Sequence, residues 1–251
     1  MTDSNIRAQA LASSNLLYRD PVMRDHFEVD AATTAAMLTD LVANHGGAGT
    51  QTLLDLGCGT GALAGAVADR FEYLGVDIQP WLIDHARRRY PDSRFETGDL
   101  LHHRVGSTFD LVTCLGNTLA YLHEPDQLAA ACATFAAHTN SGGLLVLGTL
   151  VAPPQAGRTE DTVPVPGGCA VVVAETSWDP STQVATTTRT WRLPDNTTEV
   201  DHLVRKVHSL DVLAEALANV GLSTIEAFDR LDLRAQPVAG PHAYLVAQAR
   251  R

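Results

Sequence analysis

The stretch Leu53-Leu54-Asp55-Leu56-Gly57-Cys58-Gly59-Thr60-Gly61 constrains this chain more than any other. An apolar run ends in a carboxylate and then in three alternating glycines, and a helix-like stretch from Ala62 to Arg70 follows at once. That order reads as a buried parallel strand turning sharply into a helix. The glycines let the backbone take conformations that a Cβ forbids and let a ligand approach the main chain. The helix N-terminus just beyond offers unpaired N–H groups. The turn is therefore expected to hold part of a nucleotide-like ligand.

On either side of this turn the sequence divides into recognisable segments. Asp3 to Asn15 reads as a short helix, and Leu16 to Phe27 is a dense mixture of aromatic, charged and apolar groups unlike a linker. Asp30 is placed to cap a helix running to about Asn44, which His45-Gly46-Gly47 ends. After the turn, Tyr73 to Asp77 reads as a second strand, Pro80 to Arg89 as a helix opened by proline, Arg94 to Thr97 as a third strand and Phe109 to Leu115 as a fourth. A helix from Pro125 to Ala137 leads through Ser141-Gly142-Gly143 to a fifth strand, Leu144 to Leu150. Strands alternating with helices imply a parallel sheet with right-handed crossovers.

The alternation then breaks. Val151 to Gly168 is rich in Pro and Gly and reads as a loop or lid. Three strand-like runs, Cys169 to Trp178, Gln183 to Leu193 and Val200 to Leu210, follow as an antiparallel insertion. A helix from Asp211 to Val220, capped by Gly221, and strands Ser223 to Phe228 and His242 to Ala247 close the chain. The expected fold class is α/β, a doubly wound, mostly parallel seven-stranded sheet. Residues 1–48 form an N-terminal helical cap, residues 49–150 and 209–251 the ligand-binding α/β domain, and residues 151–208 an antiparallel insertion over the active site.

Charge limits the partners. Eighteen basic against 29 acidic residues give a net charge of −11, which argues against a nucleic acid or an anionic membrane as partner. The N-terminal sequence lacks a basic region followed by an apolar stretch, and no apolar segment is long enough to span a bilayer, so a cytoplasmic protein is expected. The cysteines at 58, 114, 132 and 169 form no C-x-x-C pair. His102-His103 lacks companion ligands, and no metal site is expected.

Asp77 stands at the end of the second strand beside the glycine turn, where a carboxylate accepts both hydroxyls of a ribose or, alternatively, caps the helix that begins after Ile78-Gln79. The glycine spacing, G-x-G-x-G after Asp55, differs from the dinucleotide fingerprint G-x-G-x-x-G. Here the sequence resembles the class I S-adenosylmethionine-dependent methyltransferases. That resemblance implies a Rossmann-like methyltransferase fold and the cofactor S-adenosylmethionine, with S-adenosylhomocysteine as product. It also implies that Asp99 accepts from the adenine amino group while the Leu100 N–H meets a ring nitrogen. The cofactor set it suggests is Tyr18, Asp55, Gly57, Cys58, Gly59, Asp77, Ile78, Asp99, Leu100, Leu115 and Gly116, with Cys58 packing through its backbone.

The fourth strand runs into Leu115-Gly116-Asn117-Thr118-Leu119-Ala120-Tyr121-Leu122-His123 and lacks the Asp/Asn-Pro-Pro-Tyr/Phe stretch of methyltransferases acting on adenine or glutamine amides. It is similar to the small-molecule branch, including glycine, sarcosine and amino-sugar N-methyltransferases, in which an N-terminal tyrosine closes over the cofactor; Tyr18 matches that tyrosine. The resemblance is firm from Leu53 to Leu150. It implies methyl transfer to a small molecule, an amine nitrogen foremost, in natural product biosynthesis; methylation of a hydroxyl is the alternative, and a hydroxyl needs a general base. Tyr121 and His123 are the catalytic candidates, and Asn117, Tyr121 and Trp191 the substrate candidates. A nicotinamide-dependent oxidoreductase and a cofactor-binding protein without transfer chemistry are the readings from other classes. The inserted sheet is an expected homodimer surface.

Overall fold

The fold is that of a computed structural model, described over residues 3–27, 30–47, 49–229, 238 and 240–250. Four helices come first: α1 (Asp3–Ser14), α2 (Leu16–Arg19), α3 (Pro21–His26) and α4 (Ala31–His45). Polar side chains start three of them. Asn15 accepts from the Leu17 N–H, Asp20 from Val22 and Met23, and Asp30 from Ala32. The dense stretch Leu16 to Phe27 is thus a pair of short helices, broken where Asp20-Pro21 ends one and opens the next.

The alternating part follows as β1 (Thr52–Leu56), α5 (Ala62–Val67), β2 (Glu72–Asp77), α6 (Pro80–Arg89), β3 (Arg94–Thr97), β4 (Phe109–Cys114), a 3₁₀ turn (Thr118–Tyr121), α7 (Pro125–His138) and β5 (Thr139–Leu150). Then come β6 (Gly157–Val165), β7 (Gly168–Asp179), β8 (Val184–Arg192), β9 (Thr198–Lys206), α8 (Leu210–Ala218), β10 (Leu222–Asp229) and β11 (His242–Ala249). The seven-stranded sheet has the order β10-β11-β5-β4-β1-β2-β3, with β11 antiparallel to β5 and to β10. After β3 the chain crosses back to the other side of β1, so the strand order reverses between β1 and β4. Open α/β sheets bind ligands at the carboxyl ends of strands flanking such a reversal. Two apolar cores fill the faces of the sheet; Leu54, Leu56 and Val112 look to α7 and α8, and Leu53, Leu111 and Val146 to α4 and α5.

Two segments differ from expectation. The stretch expected as a lid, Val151 to Gly168, contains strand β6, paired antiparallel with β7 from Gly157–Thr176 to Val165–Gly168. It is the edge of the four-stranded sheet β6-β7-β8-β9, where Pro164 is tolerated because one side of the strand needs no donor. Strand β5 begins directly after α7 rather than beyond the glycines. Between the pairs Phe109–Thr139 and Leu111–Leu144 the register slips, and Gly142 (φ 75°) takes up the irregularity.

The inner face of the inserted sheet packs on the N-terminal helices. Trp191, 1% exposed, joins Val165, Ala170 and Val172 against Leu16, Leu17 and Met23, with Phe27 edge-on at 5.5 Å. This corrects the expectation that Trp191 meets a substrate: its ring is core. A buried ion pair pins the same face. The fully buried Asp201 takes both Arg189 Nε (2.8 Å) and Nη2 (2.7 Å), the Leu16 N–H (3.1 Å) and Trp191 Nε1 (3.2 Å), so every donor around it comes from the cap or the insertion.

Two buried histidines make the fold sensitive to acid. His138 Nε2 accepts from the Val105 N–H (3.0 Å) while Nδ1 faces the Thr134 carbonyl (2.7 Å), an arrangement only the neutral ring satisfies. His208 is buried with Nε2 on the Leu122 carbonyl. Burial lowers both pKa values from the usual 6.5. Below about pH 6.5 the unfolded chain then binds protons that the folded chain refuses, so stability falls as pH falls. The melting temperature should drop between about pH 7.5 and 5.5, and His138→Gln should flatten that slope. A melting temperature level across this window contradicts the assignment.

Candidate active site

The site is built from the strand ends beside the reversal. Asp55, 5% exposed, is held between its neighbours in the sheet: Tyr73 on β2 donates to one oxygen (3.0 Å) and Thr113 on β4 to the other (2.9 Å). The turn after it curls back onto β2. Gly57 N–H (2.7 Å) and Cys58 N–H (3.1 Å) both reach the Val76 carbonyl, Gly59 N–H reaches Asp77 Oδ2 (2.9 Å) and Gly61 N–H the Cys58 carbonyl (3.0 Å). Two glycines are required by space as well as by angle. At Gly57 (φ 81°) a Cβ would stand 2.3 Å from Thr118 Oγ1, and at Gly61 (φ 76°) 2.7 Å from the Phe95 ring. Three of these four N–H groups are spent on β2 and one inside the turn, and α5 beyond it is a short helix of six residues ending at Val67 rather than at Arg70. The Cys58 side chain points the other way, to Gly75 and the core.

Asp77 ties this turn to the next helix, its other oxygen accepting from the Gln79 N–H at 2.9 Å. Asp77, Ile78, Asp99 and Leu100 line one recess. Asp99 is engaged: Oδ1 accepts from the Leu101 N–H (3.0 Å), and Arg7 of α1 places Nη1 2.6 Å and 2.9 Å from its two oxygens. Arg7 and Leu11 thereby narrow this recess to about 60 Å³. Helix α1 has few holds here. Only Ala8 and Ala12 of it are buried, and Gln79 Nε2 grips the Ala8 carbonyl at 3.0 Å.

A second recess of about 190 Å³ shares Arg24, Gly57 and Gly116 with the first and adds Asp55, Leu115 and Asn117. Asn117 is left-handed (φ 59°), and its Oδ1 is buried with no hydrogen-bond partner among the described residues. Arg24, which sequence reasoning missed, joins the two recesses and stands 5.9 Å from the Tyr18 ring centroid. Its only sequence signal was its place in the aromatic and charged stretch Leu16 to Phe27.

Tyr18 and Tyr121 meet over the first recess, ring centroids 5.7 Å apart. The Trp81 indole N–H donates to the Tyr18 carbonyl, and Asn15 Nδ2 to the Tyr121 hydroxyl at 3.4 Å. Burial, reinforced by Tyr121, pushes the Tyr18 phenol well above its usual 10, so it stays protonated. His123 does not join them, which corrects its catalytic candidacy. The chain leaves the 3₁₀ turn through buried Leu122 and enters the cap of α7, where His123 N–H donates to Gln127 Oε1 and its ring Nε2 meets the Val204 carbonyl (3.1 Å). His123 lines a separate groove between α7, α8 and the insertion. Among the described residues no histidine lines either recess.

Residues 53–143 match a protein family described as a methyltransferase domain. That stretch is a methyltransferase domain. The matched stretch holds the glycine turn, all three strand-end carboxylates and Tyr121. Over 119 residues the chain is 33% identical to a dTDP-3-amino-3,4,6-trideoxy-alpha-D-glucopyranose N,N-dimethyltransferase of Streptomyces venezuelae, covering 47% of this chain and 50% of that protein. Over 114 residues it is 35% identical to a dTDP-3-amino-3,6-dideoxy-alpha-D-glucopyranose N,N-dimethyltransferase of Streptomyces fradiae, covering 45% and 44%. The chain thus matches about half the length of these relatives. Its fold is that of CalS10, an amino pentose methyltransferase from Micromonospora echinaspora solved with S-adenosylmethionine bound, at a TM-score of 0.76 and 24% identity over 90% of this chain and 94% of the other.

Because Arg7 occupies the carboxylate of Asp99, a ligand that needs Asp99 must displace it. Arg7→Ala should tighten S-adenosylhomocysteine binding roughly fivefold, the equivalent of about 1 kcal/mol for a partly exposed ion pair, and isothermal titration calorimetry reads this directly. Weaker binding by the variant would mean that Arg7 stays in place and holds the ligand.

Proposed function

We propose that this chain transfers a methyl group from S-adenosylmethionine to the amine nitrogen of a small molecule, with a nucleotide-linked amino sugar as acceptor. The observation that carries the reading is the row of carboxylates Asp55, Asp77 and Asp99 at three successive strand ends, lining adjoining recesses within the matched methyltransferase domain. The acceptor class comes from the relatives, whose names give amino-sugar N,N-dimethyltransferases. Residues 1–48 then act as the cap, residues 49–150 and 209–251 as the cofactor domain and residues 151–208 as the cover over the acceptor.

The cofactor is S-adenosylmethionine. In this reading Asp77 with Ile78 holds the ribose, Asp99 and Leu100 the adenine, and Gly57, Gly59, Leu115 and Gly116 form the floor. Asp55 and Arg24 face the amino-acid end, whose ammonium and carboxylate match their charges. Tyr18 closes the top. When bound, the cofactor would supply a methyl group activated by its sulfonium, available to an in-line amine nitrogen with the thioether as leaving group and water as the acceptor of the nitrogen proton.

The residues of the chain supply position and dryness for that step. Holding two reactants in line supplies much of such a rate. The amine preference follows from what surrounds Tyr121. Among the described residues the recess walls carry no imidazole, and Tyr18 is a protonated phenol; a hydroxyl acceptor needs a base, whereas an amine already neutral needs none. The turn argues against a dinucleotide, since its N–H groups are bonded internally instead of facing a diphosphate. We place the protein in the cytoplasm as a homodimer formed across the inserted sheet; no helix among the described residues is long and apolar enough to cross a membrane.

Mass spectrometry after incubation with S-adenosylmethionine and matched amino and hydroxy forms of a dTDP-sugar tests the reading. One or two methyl groups should appear on the amino sugar nitrogen, at a rate rising with pH as the amine loses its proton. Methylation of the hydroxy form alone would overturn the amine assignment.

A further inference from the structure

Gln79 stands where a helix cap is expected and does not cap. It is the N-cap residue of α6, a position that favours short polar side chains, yet its side chain makes no capping hydrogen bond. Asp77 serves the helix instead, accepting from the Gln79 N–H at 2.9 Å. The long amide of Gln79 turns to α1, where Nε2 donates to the Ala8 carbonyl at 3.0 Å. Its backbone carbonyl accepts from the Ile83 N–H at 3.2 Å. Of its polar atoms only Oε1 is left, and among the described residues that oxygen has no hydrogen-bond partner.

Gln79 is 1% exposed, so bulk water does not answer the oxygen, and the residue lines the first recess beside Asp77 and Ile78. Turning the amide round gives no escape, because Oε1 would then face the Ala8 carbonyl, acceptor against acceptor. A buried acceptor without a donor is costly, and each one in a native fold calls for a reason. A donor brought into the recess by a ligand supplies that reason. S-adenosylmethionine carries four donor groups: the adenine amino group, two ribose hydroxyls and the ammonium. In the reading above Asp99 takes the first and Asp55 the last, which leaves one carboxylate, Asp77, for two hydroxyls. Gln79 is hydrogen-bonded to that same carboxylate.

We infer that Gln79 is a cofactor-binding residue: its Oε1 accepts from one ribose hydroxyl while Asp77 accepts from the other. The assignment rests on the methyl-transfer reading above and adds to it a second ribose contact, made by a neutral amide that α1 holds in orientation. A nucleoside lacking that hydroxyl leaves the buried oxygen unanswered, so the recess reads ribose against deoxyribose.

Calorimetry on the full chain tests this, with S-adenosylhomocysteine and its 2′-deoxy and 3′-deoxy analogues as probes. Wild type should bind each analogue roughly tenfold more weakly than S-adenosylhomocysteine, as expected when a buried partner goes unpaired. In Gln79→Met the discrimination against one analogue should shrink to about twofold or less, while that against the other is kept. Gln79→Leu, measured alongside, carries the same test should the Met variant not fold. Loosening α1 changes the affinity for all three ligands together, so a change confined to one analogue does not come from losing the Ala8 contact. Arg7→Ala, which loosens the same helix, should keep the wild-type discrimination. Discrimination unchanged in Gln79 variants that still bind S-adenosylhomocysteine overturns the role of Gln79 and leaves the methyl-transfer reading standing. Wild type that binds both analogues as tightly as S-adenosylhomocysteine does the same. A wild type that binds no S-adenosylhomocysteine overturns the methyl-transfer reading, and the assignment of Gln79 falls with it.

Discussion

The hydrogen bonds between the Gly57–Gly61 turn and the end of β2 are the constraint from which the site follows. Gly57 and Cys58 share the Val76 carbonyl, and Gly59 takes one oxygen of Asp77. These bonds require the positive φ angles that the glycines supply, and they hold the carboxylate of Asp77 at the mouth of the cleft. They also turn the N–H groups inward. A turn of this kind packs against a ligand through its surface and leaves recognition to side chains, the role we propose for Asp55, Asp77 and Asp99. A phosphate-binding turn would be arranged in the opposite way, with its donors facing out.

The second constraint is the buried pair Arg189–Asp201. Removing one partner of such a pair typically costs about 3–5 kcal/mol, because the other is left charged and unanswered. Its hydrogen bonds run from the inserted sheet to Leu16 and Asn15, and from Asn15 to Tyr121. Cap, insertion and the tyrosine over the cleft are therefore one hydrogen-bonded unit. Helix α1 is held more lightly, by Arg7 on Asp99 and Gln79 on Ala8, which makes it the part of the cover that can move for a ligand at modest cost.

Much of this was legible in the sequence for a definite reason. Strand-end carboxylates sit at the junction of an apolar run and a turn, so Asp55, Asp77 and Asp99 announce their place without any knowledge of tertiary contacts. The parallel sheet was legible from the alternation of strands and helices. Strand β6 was not, because its Pro and Gly content belongs to an edge strand and a loop alike. Strand alternation puts Trp191 and Arg189 on one face of β8, yet nothing local says which face looks inward; Leu16, Leu17 and Met23 decide it. His123 failed for a similar reason: it follows Tyr121 closely in sequence, but the cap of α7 turns it to the other side. Arg7 and Arg24, which line the recesses, have no periodic signature, and the partner of Arg7, Asp99, lies far away in sequence.

The central claim is that the cleft at the ends of β1, β2 and β3 is an S-adenosylmethionine site and not a dinucleotide site. Calorimetric titration of the wild type and of Asp77→Ala with S-adenosylhomocysteine, and of the wild type with NAD, tests it most directly. The account predicts that the wild type binds S-adenosylhomocysteine and not NAD, and that Asp77→Ala loses about 1–3 kcal/mol of that binding, as expected for a buried, hydrogen-bonded carboxylate. Binding of NAD by the wild type without binding of S-adenosylhomocysteine would contradict it.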